Sequence, residues 1–272
     1  MTRRVSFTSR SRCTPVSVIS QQSHLSKIEK NYWSSLDRRY AHRREEDSEN
    51  EVRGKPSPRD YIFQRNPPED YEMLETTMDW VQNVVIGLNL CPFAERPLKR
   101  RELKLELIRG HNEEEILAQV LGECLVKQSK PGTSLMICPD LYPEDFESFL
   151  GVYNVLNDGV LVNQNLTDDV QIAPFHPFFR FDGSQDEDVD NYTNRSPYPI
   201  FHILREDEVG RAVDVMEGDA SVVWRRNIEL LEELEKKLDY SELEQVMKGG
   251  KVPNALKEKV RGILQELKRK NS

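Results

Sequence analysis

The stretch Ser134-Leu135-Met136-Ile137-Cys138-Pro139 decides the fold class. A short uncharged, mainly apolar run closed by a proline predicts a central strand buried on both faces. Upstream, Leu103-Lys104-Leu105-Glu106-Leu107 alternates strictly. That pattern predicts a strand with one buried and one wet face, near a sheet edge. Between these two, Asn112-Glu113-Glu114-Glu115 caps a helix carrying Ile116, Val120 and Leu121. Downstream, Tyr142-Pro143-Glu144-Asp145 opens a helix with Phe146, Phe149, Leu150 and Tyr153. Residues 170–175 read as a third strand, with Pro174 at its end or on an edge. Residues 199–205 read as a fourth, and residues 220–238 as a long helix with Val223, Ile228, Leu231 and Leu234 inward.

Strands alternating with helices predict one α/β domain. Its sheet is expected to be small, mixed and mostly parallel, with about four strands, helices at its flanks and the last strand a candidate for antiparallel pairing. The first core helix spans residues 71–88, with Leu74, Met78, Val81, Val85 and Leu88 at helical spacing. Gly87 and Asn89 weaken its end, and Pro92 keeps Cys91 out of helical geometry, at an exit turn.

Around this core, at residues 71–238, lie three polar segments. Residues 1–28 contain Arg3, Arg4, Arg10, Arg12 and Lys27, many Ser and Thr, and no Asp or Glu. Arg-rich, Ser-rich and acid-free is the composition of an organellar transit peptide, chloroplast or mitochondrial. Residues 1–45 are therefore expected to be targeting or disordered sequence; without targeting, the protein is cytoplasmic. Residues 46–70 read as a disordered linker. Residues 239–272 form a helical extension with Leu256, Val260, Ile263, Leu264 and Leu267 on one side, expected to dock on the core or on a protein partner.

The whole 272-residue chain carries a net charge of −9, which argues against nucleic acid as a partner, because phosphate contacts need a basic face. No apolar run approaches the length of about 18 residues that a membrane helix needs. The four cysteines, Cys13, Cys91, Cys124 and Cys138, form no CxxC pair, so a reducing compartment fits best.

The candidate site centres on Asp190-Asn191-Tyr192-Thr193-Asn194-Arg195-Ser196-Pro197-Tyr198-Pro199. This loop is bracketed by His176 and His202, each on or next to a strand. Together with Val84-Val85-Ile86-Gly87-Leu88-Asn89-Leu90-Cys91-Pro92-Phe93-Ala94, Ala173-Pro174-Phe175-His176-Pro177 and His202-Ile203-Leu204-Arg205-Glu206, the loop resembles an uncharacterised family, domain of unknown function number 1415. The likeness covers about residues 72–235. It implies a domain boundary and motif positions, and no mechanism.

Arg195 offers a bidentate fork for carboxylate or phosphate, with Asn191, Asn194, Tyr192 and Tyr198 around it as substrate-binding groups. The competing reading pairs Arg195 with Asp188 or Asp190 and simply closes the loop. His176 and His202 are the candidate proton-handling residues, with Cys91 assisting. By alternation His176 shares a face with Val170 and Ile172, and His202 with Ile200 and Leu204. If the two strands are neighbours, both rings are expected on one face of the sheet. Cys91, His176 and His202 would then suit zinc with water in the fourth position. Arg225 and Asn227 are expected to reach the same cleft. Three functions stay open: an enzyme acting on a small anionic metabolite, a non-catalytic ligand- or protein-binding module, and a zinc-dependent hydrolase.

Overall fold

The structure, a computed structural model, describes residues 57–63, 66–215, 219 and 221–270. The basic arm 1–45, its targeting reading and the first part of the expected linker lie outside the described residues. In chain order the helices are α1 (Pro58–Phe63), α2 (Tyr71–Trp80), α3 (Glu95–Arg100), α4 (Glu113–Lys127), α5 (Phe146–Asn154), α6 (Glu206–Val215), α7 (Ser221–Lys237), α8 (Tyr240–Met247) and α9 (Asn254–Lys270). The strands are β1 (Leu103–Leu107), β2 (Thr133–Ile137), β3 (Val170–Phe175) and β4 (Ile200–Arg205).

The four strands form one sheet in the order β1-β2-β4-β3. β1 and β2 pair parallel, while β4 runs antiparallel to both β2 and β3. The sheet is mixed, but parallel pairing is confined to β1 and β2. The reason is the connection: α4 carries β1 over to β2, whereas an irregular loop joins β3 to β4, and antiparallel neighbours need no helical crossover.

Side-chain alternation then makes two cores. Leu103, Leu105, Leu107, Leu135, Ile137 and Ile200 face α2, α7, α8 and α9. Met136, Cys138, Val170, Ile172, Phe201 and Ile203 face α4 and α5. β2 is buried at all five positions and β1 at every other one, as a central strand and an edge strand should be. Phe149 of α5 stacks on Phe201 with ring centroids 4.9 Å apart. Burying a side chain of that size stabilises by about 1.5–3 kcal/mol.

α2 continues into a wider π turn, Val81–Ile86, which gives the inward position to Val84 and leaves Val85 partly buried. The described part of the expected linker, residues 57–63 and 66–70, is partly helical. Ser57 and Asp60 form reciprocal caps, Asp60 N–H donating to Ser57 Oγ at 3.1 Å and Ser57 N–H to Asp60 Oδ2 at 3.3 Å. Ile62 of α1 is buried in the first core, and Asn66 Nδ2 donates to Leu105 O at 3.1 Å, which covers part of the open edge of β1. At the other end α9 buries Leu256, Val260 and Ile263 in the same core. The apolar stripe of the C-terminal extension is thus used inside the molecule.

Candidate functional site

The loop 190–199 is held by its own polar groups. Asn191 is fully buried; its Oδ1 accepts from Phe181 N–H at 3.0 Å and its Nδ2 donates to Gln185 O at 2.7 Å. Asn194 Nδ2 donates to Pro174 O at 3.2 Å, and Asn194 O accepts from His176 N–H. Arg195 donates to Phe179 O at 3.3 Å and to Asp186 O at 2.5 Å. Its guanidinium lies 4.8 Å from the centroid of the Tyr192 ring, and Glu244 of α8 stands 4.0 Å away. Tyr192 is buried and donates its hydroxyl to Glu244; Tyr198 packs partly buried against the first core. Arg195 therefore closes the loop, through main-chain carbonyls and Glu244 rather than through Asp188 or Asp190.

The two histidines do not share a face, which corrects the expected convergence. β3 and β4 are neighbours, but their register pairs Ala173 with His202 and Ile172 with Ile203. His202 therefore stands on the face of the first core, beside Phe175. His176 continues the opposite face and sits between Phe146 and Phe149. Both His176 nitrogens are occupied: Phe178 N–H donates to Nδ1 at 3.1 Å, so Nε2 carries the proton and donates to Tyr142 O at 2.9 Å. Burial pushes this imidazole below its ordinary value, against the opposing effects of the Tyr142 carbonyl and the Asp145 carboxylate. For His202, Thr133 Oγ1 donates to Ile203 O and so accepts from Nε2 at 2.7 Å. Burial of the ring lowers His202 to about 4.

Cys91 lies at the surface, in the turn before α3. α7 fixes that turn: Asn227 Nδ2 donates to Leu90 O at 2.7 Å and Arg226 donates to Asn89 O. Arg225 is exposed and pairs with Asp219. Protein packed around the thiol raises it; the N–H groups of Phe93 and Ala94 and the Arg226 charge oppose that rise. Among the described residues, no group of three or more His, Cys, Asp or Glu is arranged to hold a metal ion. Cys91, His176 and His202 do not form the expected zinc set, because the sheet separates the two rings.

A different cluster lines a cleft of about 450 Å³ beside the edge of β1. Tyr61, Ile62 and Asn66 form one wall, β1 and the α4–β2 turn the others. Lys104 and Glu106 point to the α4 side of β1, where Glu123 of α4 meets Lys104 and Lys127 lines the same cleft. Glu123 is 2% exposed and fully used: Ser134 Oγ donates to Oε1 at 2.6 Å and Lys104 Nζ to Oε2 at 2.5 Å. Glu106 also binds Lys104. Burial alone would lower Lys104, and the two carboxylates overcome it and hold the ammonium above its ordinary value.

Lys127 is 6% exposed, and among the described residues its one acceptor is Pro131 O at 3.3 Å. An ammonium has three donors, so two are unused. Burial lowers this lysine; Glu123 partly offsets that, and the charges of Lys104 and Lys130 reinforce it. The end of α4 is locked in place. Arg205 donates to the carbonyls of Lys127 and Gln128 at 2.7 and 3.2 Å, and Glu208 accepts from Gly132 N–H at 3.0 Å. Gly132 has φ 88°, and a Cβ there would lie 2.2 Å from Glu102 O, so glycine alone fits. Nothing in composition pointed to this cluster. Its signal is that Glu123 and Lys127 fall on the same helical stripe as Ile116 and Val120, a stripe that is otherwise buried.

Fold and site define a mixed α/β domain with a charged cleft at the edge of its sheet. The family model described as a protein of unknown function, DUF1415, matches residues 72–239, and the chain belongs to that family. No curated protein and no solved structure matches the chain.

Proposed function

We propose that the domain binds a small anionic ligand, a carboxylate or phosphate ester, in the cleft beside β1. Lys127 and Lys130 hold the anion and Arg101 stands at its rim. The observation that carries this reading is the state of Lys127. It is a buried cation with two unused donors, lining a cleft, with no carboxylate within 4.0 Å among the described residues. Lys130 is exposed at the same cleft and likewise has no ion-pair partner among the described residues. An anion between the two lysines would supply the missing acceptors and relieve their mutual repulsion. The cleft volume suits a small metabolite. In this reading the loop 190–199 is a scaffold, and the anion-binding role expected of Arg195 passes to Lys127 of α4 and Lys130 in the turn after it.

The test is thermal unfolding of the protein and of Lys127→Met in chloride, acetate and phosphate at matched ionic strength. Site binding predicts a rise in Tm with acetate or phosphate that is absent in the variant. Phosphate also stabilises proteins generally by exclusion from their surfaces. Equal shifts in both proteins would therefore reject the site.

A further inference from the structure

Lys127 combines features that an anion site alone does not require. Its amine is buried, next to two other cations, and free of any carboxylate contact among the described residues. The carboxylate placed to neutralise it, Glu123 one turn earlier on the same helix, is instead committed to Lys104 and Ser134. Such a setting favours the neutral amine, which is the nucleophilic form. The cleft gives that amine room for a ligand, and Lys130 at the cleft offers the ligand's carboxylate a second, cationic anchor.

We propose that Lys127 forms an imine with a small oxo acid bound in this cleft, its carbonyl at Lys127 Nζ and its carboxylate at Lys130. The proposal rests on the anion-binding reading and extends it. Lys127 Nζ first releases one proton to solvent in the cleft. The nitrogen lone pair then attacks the carbonyl carbon, forming the C–N bond while the C=O electron pair moves to oxygen. One proton passes from the nitrogen to that oxygen, the proton released at the outset returns to it, and the nitrogen lone pair closes the C=N bond as the oxygen leaves as water, giving a protonated imine. In balance, R–NH3+ and O=CR2 give R–NH+=CR2 and H2O: two ammonium hydrogens depart with the carbonyl oxygen. Lys104 is unsuited to this step, because Glu106 and Glu123 hold it as a cation.

The experiment uses the full chain with pyruvate, with acetate as an anion lacking the carbonyl and acetone as a carbonyl lacking the anion. Each mixture is treated with borohydride, digested and mapped by mass. In parallel, acetate and pyruvate binding is measured by calorimetry. The expected result is a pyruvate adduct on Lys127, at least tenfold above any other lysine, with acetone giving little. Lys127→Arg, with its fold confirmed by circular dichroism, should lose the adduct. Binding of both anions with no adduct, or with label spread over surface lysines, overturns the imine and leaves the anion site standing. If neither anion binds and no adduct forms, both readings fall.

Discussion

Glu123 and Lys127 stand one helical turn apart on α4, the usual spacing for an ion pair, and do not make one. The Glu123 carboxylate turns instead to Lys104 Nζ at 2.5 Å and Ser134 Oγ at 2.6 Å. An i,i+4 pair is worth only about 0.2–0.5 kcal/mol, while a buried carboxylate left without donors costs far more. The sheet therefore outcompetes the helix for Glu123, and Lys127 is left to the cleft.

Removing each partner should act in opposite directions. Lys127→Met deletes a buried, underpaired charge and keeps the volume, so we predict unchanged or raised stability. Glu123→Ala leaves the Ser134 hydroxyl without its acceptor and Lys104 with Glu106 alone, and should cost about 1–3 kcal/mol. Urea unfolding of the two variants checks both. A large loss in Lys127→Met would mean that the lysine has a structural partner.

Stability should fall in acid through His202. Its folded value is about 4, against an ordinary 6.5. Between those two pH values the unfolded chain binds a proton that the folded chain refuses. Stability therefore rises with pH across that window and is lost as pH falls through it. A shift of this size corresponds to about 3 kcal/mol at most, and less because the residue keeps some contact with solvent. His202→Gln, which retains a donor for Thr133, should flatten the limb between pH 4 and 6.5. His176, also lowered by burial, would account for what remains. An unchanged acid limb in the variant would show that His202 titrates normally.

The described cysteines should separate by access. Cys91 is exposed, while Cys124 and Cys138 are buried. Iodoacetamide should label Cys91 in the native protein, more slowly than a free thiol because its surroundings raise it. Cys124 and Cys138, pushed up strongly by burial, should react only on unfolding. Peptide mapping after timed labelling distinguishes the three.

Glu244 ties the C-terminal helices to the loop, accepting from the Tyr192 hydroxyl and lying 4.0 Å from Arg195. Glu244→Ala should cost about 1–3 kcal/mol, since it leaves a buried phenol without its acceptor. Anion binding at the β1 cleft should persist in this variant. Deleting residues 240–270 should go further and prevent folding. It uncovers the first core, which Leu243, Val246, Leu256 and Ile263 help to close. A soluble, folded truncation with a normal melt would contradict this.

Much of the fold was legible from local pattern. The alternation of residues 103–107 and the uncharged run after Thr133 placed β1 and β2 correctly as edge and centre, because burial on one or two faces writes itself into residue type. The face assignments of His176 and His202 were also right strand by strand. What alternation could not supply was the register between strands: pairing Ala173 with His202 puts the rings on opposite sides. The loop misled for a related reason. Asn191 and Arg195 have the chemistry of a binding site, yet their partners are carbonyls of Phe179, Gln185 and Asp186, visible only once the chain has folded back. Lys127 was hidden the other way, since a lysine in the last turn of a helix ordinarily serves the dipole from solvent.

The central claim is that the cleft beside β1 holds an anion. The most direct measurement is an amide chemical-shift titration of the protein with acetate and with phosphate at constant ionic strength. The account predicts saturable shifts confined to residues 101–106 and 126–132, absent in Lys127→Met. Saturable shifts centred instead on residues 176–199, or none beyond those caused by chloride, would contradict it.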